Sequence, residues 1–143
     1  MKRFRFLTIF ILTALLSFNV TASEKTLADV KQLSLNVEGM SPKGVVNNQL
    51  YFARFEGFTE LLKVLVEALN TPAIEPVKAK PLFTFDASFT ESNQKDLLVE
   101  VGESWIRVED KNYDITEKQY DRIIELVALR LTDEELAQLL SEN

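Results

Sequence analysis

The sequence predicts an α+β fold: a helical N-terminal half, an antiparallel meander of three or four strands, then one long and one short C-terminal helix. Three observations predict it. Residues 58–69, FTELLKVLVEAL, carry apolar side chains at helical spacing. Residues 83–89, FTFDASF, alternate apolar and polar as a half-buried strand does. Two Thr-x-x-Gln/Glu signatures, at Thr116 and Thr132, mark helix starts near the C-terminus.

The chain opens with MKRFRFLTIFILTALLSFNVTAS. Lys2, Arg3 and Arg5 precede an apolar run from Phe6 to Leu16, and small residues stand at Val20 and Ala22. This three-part pattern is that of a cleaved secretory signal over residues 1–22. The run is shorter than the about 20 apolar residues that a membrane span needs. No cysteine follows to carry a lipid. The expected location is outside the cytoplasm: periplasmic in a Gram-negative cell, secreted otherwise.

Residues 23–143 then form one small α+β domain of 121 residues. The first 22 residues hold three of the sixteen basic residues and none of the 22 acidic ones, so the domain carries a formal charge of −9. That charge repels nucleic acid and anionic lipid, and neither is an expected partner. The chain has no cysteine and no histidine. Disulfides, Ser-His and Cys-His catalysis and typical zinc sites are therefore impossible within it, and no cofactor is expected.

Residues 23–40 read as a mobile arm, or as a short helix face using Leu27, Val30 and Leu33 or Leu35. Ser41 with Pro42 reads as a helix start. The stretch VEGMSPKGVV resembles the Gly-Met-Ser helix start of small outer-membrane assembly lipoproteins over ten residues. The lipid-anchor cysteine of that family is missing here, and no function is carried over. Tyr51, Phe52, Phe55 and Phe58 form an aromatic run, read as core or as the lining of an apolar-ligand site. The helix over 58–69 should stop at Asn70, in a left-handed turn, and Pro72. Three prolines in the eleven residues 71–81 mark an extended connector.

LLVEVGESWIRV reads as a hairpin with Gly102-Glu103 as its loop. That register sets Val99 opposite Ile106 and Leu97 opposite Val108. Leu97, Val99, Val101, Ile106 and Val108 gather on one face; Leu98, Glu100, Trp105 and Arg107 gather on the other. A second turn at Asp110-Lys111 would set Arg107 opposite Asp114. Thr116 with Gln119 then caps a helix whose stripe is Tyr120, Ile123, Ile124, Val127, Ala128 and Leu131. Thr132 with Glu135 caps a short terminal helix. The C-terminal helix should cover the sheet face of Phe83, Phe85, Val99, Val101, Ile106 and Val108.

Three sites are conceivable. Asp110, Asn112 and Asp114 alternate like the first ligands of a calcium loop. An EF-hand, however, requires Gly where Ile115 stands, and Lys118 would crowd the cation; no metal site is expected. Leu98, Glu100, Trp105, Arg107 and Asp114 would form an aromatic platform with charged edges, suited to a peptide, protein or glycan. The alternative is that the N-terminal half covers this face and Trp105 joins a second core layer. Asp86 and Glu100 form a candidate carboxylate pair for acid-base work, without a nucleophile beside them.

The resulting expectation is a small exported, non-enzymatic binding or accessory protein. Its rivals are a carboxylate-only hydrolase acting on a glycan and a carrier of an apolar small molecule. The sequence leaves the partner and the oligomeric state open.

Overall fold

The computed structural model describes residues 25–52, 57–90 and 95–141. The signal segment, Phe55 and the tip of the loop after residue 90 lie outside the described residues. One antiparallel sheet organises the chain. Its strands are β1 (Gln32–Asn36), β2 (Gln49–Tyr51), β3 (Phe83–Ser88), β4 (Leu97–Val101), β5 (Trp105–Val108) and β6 (Lys111–Asp114). They lie in the order β2-β1-β3-β4-β5-β6. Among the described residues three α-helices accompany them: α1 (Phe58–Leu69), α2 (Glu117–Ala128) and α3 (Asp133–Ser141).

The α+β class holds, but the helical N-terminal half and the count of three or four strands do not: the sheet has six strands. Before residue 40 the helix face shrinks to one 3-10 turn, Leu27–Asp29, with Leu27 and Val30 buried, while Leu33 and Leu35 sit fully buried in β1, an interior strand. Leu33 and Leu35 are two apart, and a strand turns both to one face while a helix would not. No helix starts at Ser41-Pro42; the chain there makes turns, with positive φ at Gly39, Gly44, Asn47 and Asn48, and returns as β2. β2 then leads through α1 to β3, on the far side of β1.

Both predicted hairpin registers are displaced by two residues. Val101 pairs with Ile106 and Val99 with Val108, so the first turn is Glu103-Ser104 and Gly102 lies opposite Trp105. Gly102 does not take a positive φ. What demands glycine there is space: a Cβ would sit 2.3 Å from the Trp105 indole. The second turn is Glu109-Asp110, both left-handed at φ 50° and 66°, the signature of a type I′ turn. It pairs Arg107 with Asn112 and Trp105 with Asp114. A shift of two residues preserves faces, so the division into apolar and polar sides survives the error.

The apolar side carries the core. Leu50, Leu35, Phe85, Val99 and Val108 are successive cross-strand partners from β2 to β5. They form one cluster with Leu61, Leu65 and Ala68 of α1, with Ile123, Leu126 and Val127 of α2, and with Leu139 of α3. Phe85 makes edge contacts with Phe52 at 6.1 Å and Phe83 at 5.6 Å. Burying each such ring contributes on the order of 2–3 kcal/mol. Helix α1 also packs on α2: a Cβ at Gly57 would meet Leu126 at 3.0 Å, and Arg122 pairs with Glu60.

The helix signals behave as read. Gln119 N–H donates to Thr116 Oγ1 at 3.0 Å, and Thr116 N–H to Gln119 Oε1 at 2.9 Å. Thr132 and Glu135 repeat the exchange at 3.1 and 2.9 Å. At the end of α1, Asn70 stays right-handed at φ −80°, against the left-handed expectation. The Thr71 hydroxyl closes that end by donating to the Ala68 carbonyl at 2.7 Å.

Candidate functional site

The side of the sheet away from the helices is polar from edge to edge. Stepping one residue along each strand from the apolar row gives Gln49, Asn36, Thr84, Glu100, Arg107 and Asn112. Gln49 opposes Asn36, Thr84 opposes Glu100, Glu100 opposes Arg107, and Arg107 opposes Asn112. The remaining step is a hydrogen bond, from Asn36 Nδ2 to Thr84 Oγ1 at 2.7 Å. At the β2 end, Ser34 Oγ donates to Gln49 Oε1 at 2.8 Å, and Gln49 Nε2 donates to Asn36 Oδ1.

Arg107 is the centre of the other end. Its Nη1 meets Glu100 Oε2 at 3.2 Å, its Nε donates to Asn112 Oδ1 at 3.0 Å, and its Nη2 donates to the Val77 carbonyl at 2.7 Å. Its guanidinium also lies 4.9 Å from the Trp105 ring centre. The Val77 contact fixes the proline-rich connector. That segment leaves α1 on the helix side and bridges the β6 edge, where Ile74 N–H donates to the Asn112 carbonyl at 2.8 Å. It then meets Arg107 on the polar side, and Leu82 N–H joins the Val101 carbonyl at 2.8 Å as β3 begins.

Leu98, Glu100, Trp105, Arg107 and Asp114 do share this polar face, but not as an aromatic platform. Trp105 is only 6% exposed, set on Gly102 and beside Arg107. It lies outside the main core cluster. Among the described residues, the connector reaches this cluster at Val77, whose carbonyl accepts from Arg107. Glu100 and Arg107 are each about one-fifth exposed at the side chain. Leu98 is 48% exposed, and Asp114 is exposed at the sheet edge.

The calcium pattern dissolves. Asp110 is a turn residue, and Asn112 is 2% exposed with its side-chain oxygen held by Arg107. Among the described residues no group of three or more acidic side chains is placed to hold a metal. Asp86 and Glu100 are diagonal neighbours on the polar face, since Asp86 opposes Leu98. Each is committed to a cation: Glu100 to Arg107, and Asp86 to Lys95 at 3.1 Å. The Asp86 Oδ2 is buried and takes no aligned hydrogen bond, so this ion pair is its main partner. In the aromatic run, Phe52 is core at 1% exposure, with the Arg130 guanidinium 5.5 Å from its ring centre. Burial lowers the Arg130 pKa from its ordinary value.

Two hollows lie near these elements. One, of about 380 Å³, opens at the end of β1 and the start of β3, lined by Asn36, Glu38, Met40, Leu82, Thr84 and Leu139 among others. A second, also about 380 Å³, lies between Glu103, Ser104 and the first turn of α2. Tyr120 lines it; burial first, then the charges of Glu103 and Asp121, raise its hydroxyl above the ordinary 10.0. No described helix is long and apolar enough to cross a membrane.

Sequence reasoning missed Ser34, Gln49, Asn36 and Thr84 as one hydrogen-bonded group, and Asn112 as a partner of Arg107. A signal existed: in QLSLN and NQLY, amide and hydroxyl side chains alternate with leucines. That alternation marks a strand with one polar face. The chain matches no known protein-family model, no curated protein sequence and no solved structure.

Proposed function

We propose that the protein is a small exported binding or accessory protein, non-enzymatic, that meets a protein, peptide or glycan partner through the polar face of its sheet. The observation that carries this reading is the commitment of the charges on that face. Asp86 is held by Lys95 and Glu100 by Arg107, so the carboxylates serve to hold a surface in shape. The absence of histidine and cysteine from the chain supports the same reading. Leu98, one of three exposed large hydrophobic residues among those described, supplies an apolar contact in the midst of polar groups. Export rests on the basic start and apolar run of residues 1–22.

The test is capture of a partner from envelope extract by the purified protein, beside the Leu98→Asp variant. Leu98 is exposed, so the variant keeps the fold, which its melting temperature checks. A partner held by the native protein and lost by the variant supports the reading. Hydrolysis of a glycan or peptide panel by the pure protein, with no partner captured, overturns it in favour of a carboxylate hydrolase.

A further inference from the structure

Helices α2 and α3 are separated by a break that the residues within it do not require. Residues 129–132 are Leu, Arg, Leu and Thr, with no glycine or proline among them. None takes a positive φ. Leu129 is still right-handed, at φ −60° and ψ −22°. The Arg130 and Leu131 N–H groups bond back to the Val127 and Ala128 carbonyls at 3.0 and 3.3 Å, so helical turns run on to Leu131. Leucine and arginine are good helix formers, and helix ends are more commonly marked by glycine or proline.

Two things hold the break. One is local: Thr132 caps α3 by exchanging bonds with Glu135. The other is packing. Of the nine residues of α3, Leu139 is the buried one, and it lines the hollow at the end of β1 and β3 with Val37, Met40 and Phe83. All four belong to the core cluster, and Leu136 and Leu140 pack against it in part. The side-chain bonds of Thr132, Glu135 and Ser141 stay within the helix and its cap. A narrow leucine stripe is thus what seats α3 on the domain. Before the break the chain is pinned, because Arg130 donates to the Tyr51 carbonyl and lies over the Phe52 ring. Freedom therefore starts at Leu131.

Straightening at this point keeps the backbone satisfied. In a continuous helix the N–H groups of Thr132, Asp133, Glu134 and Glu135 meet the carbonyls of Ala128, Leu129, Arg130 and Leu131, four residues back. Those are groups that a helix end leaves without an intrahelical partner. What straightening loses is the seat of the leucine stripe. A second copy that has also straightened offers the same seat, vacated by its own α3.

We propose that Leu131-Thr132 is a hinge at which α2 and α3 straighten into one helix from Glu117 to Ser141, and that two copies of the chain then exchange α3, each seating Leu139 on the core of the other. The seat holds the same helix in both states, so the fit within one chain is the fit within the pair. A short link favours exchange, since it gives α3 little slack for folding back. The device does not rest on the partner reading above.

The experiment holds the purified protein at about 1 mM, the effective-concentration scale of a short tether, and measures dimer by sedimentation velocity. Thr132→Ala removes the cap that favours the break and should tighten dimerisation at least about fivefold. Insertion of Gly-Gly-Ser-Gly after Leu131 forbids a continuous helix and should weaken it at least about tenfold. In a dimer of one isotope-labelled and one unlabelled copy, isotope-filtered NOE spectra should join Leu139 of one copy to Val37, Met40 or Phe83 of the other. Absence of dimer in both the native protein and Thr132→Ala overturns the proposal. So does a dimer whose Leu139 contacts stay within one copy, or one that neither hinge change moves.

Discussion

Two rows of side chains cross the same six strands, one residue apart on each. Leu50, Leu35, Phe85, Val99, Val108 and Lys111 form one; Gln49, Asn36, Thr84, Glu100, Arg107 and Asn112 form the other. The backbone beneath them is shared, yet they are held by different forces. The first row is apolar until Lys111 at the edge, and its cohesion is burial under α1, α2 and α3. The second row is polar throughout, and directed bonds hold it in two groups, Gln49 with Asn36 and Thr84, and Glu100 with Arg107 and Asn112. The comparison teaches that this sheet is held from both sides: packing under the helices on one, directed bonds between side chains on the other.

Phe85→Ala probes the first row and should have the largest effect. It empties the site between Phe52 and Phe83, and urea unfolding should register a loss of about 3–5 kcal/mol. On the polar side the ring of Trp105 rests on Gly102, and the substitution can be made beneath it. Gly102→Ala drives a methyl group into the indole. The expected cost is about 1–3 kcal/mol, and the fluorescence of the single tryptophan should shift to the red as the ring is pushed toward water. An unshifted spectrum would break the claim that the polar face needs that glycine for space.

Arg107→Met keeps the aliphatic stem but drops the bonds to Glu100, Asn112 and Val77. It should cost about 1–2 kcal/mol. Its more telling readout is local: hydrogen exchange at Ile74 and Val77 should quicken well before that of Val99. At the type I′ turn the sign reverses. Asp110 holds a left-handed conformation that glycine takes without strain, so Asp110→Gly should raise stability by about 0.5–1 kcal/mol in the same urea assay.

The smallest effect concerns pH. Above pH 10 the unfolded chain releases the Tyr120 proton before the folded chain does, because the folded hydroxyl is raised. This contribution to stability is therefore full below pH 10 and declines as the pH climbs through the raised value. The urea midpoint of the native protein should fall faster as the pH rises above 10 than that of Tyr120→Phe.

The sheet from β3 onward was largely legible in the sequence, because alternation there is clean and the caps at Thr116 and Thr132 are written in local residues. The face assignments of Leu97, Val99, Val101, Ile106 and Val108 followed from period two alone. The registers did not, since they depend on where a turn closes. Gly102 looked like a loop residue and is instead the seat of Trp105. β1 and β2 were hidden for another reason. They are five and three residues long; β1 is made a strand by β3, about fifty residues further along, and β2 by its pairing with β1. Of the candidate site, the five residues on one face were legible. Burial of Trp105 was among the readings that the sequence offered, but its cover was not: Arg107, fixed by Val77 of the connector, lies over the ring in place of a layer from the N-terminal half.

The Val46 and Ile74 contacts have a consequence beyond the fold. Val46 exchanges both backbone bonds with Gln49 at one border of the sheet, at 2.9 Å each, and Arg130 occupies the Tyr51 carbonyl there. At the opposite border, Ile74 occupies the Asn112 carbonyl. A sheet recruits further strands through unpaired backbone groups at its rims. Here both rims are partly plugged by single residues of the same chain, which makes the molecule a poor template for runaway strand addition. Copies of the chain in a crowded solution then have fewer open backbone groups at which to fuse edge to edge.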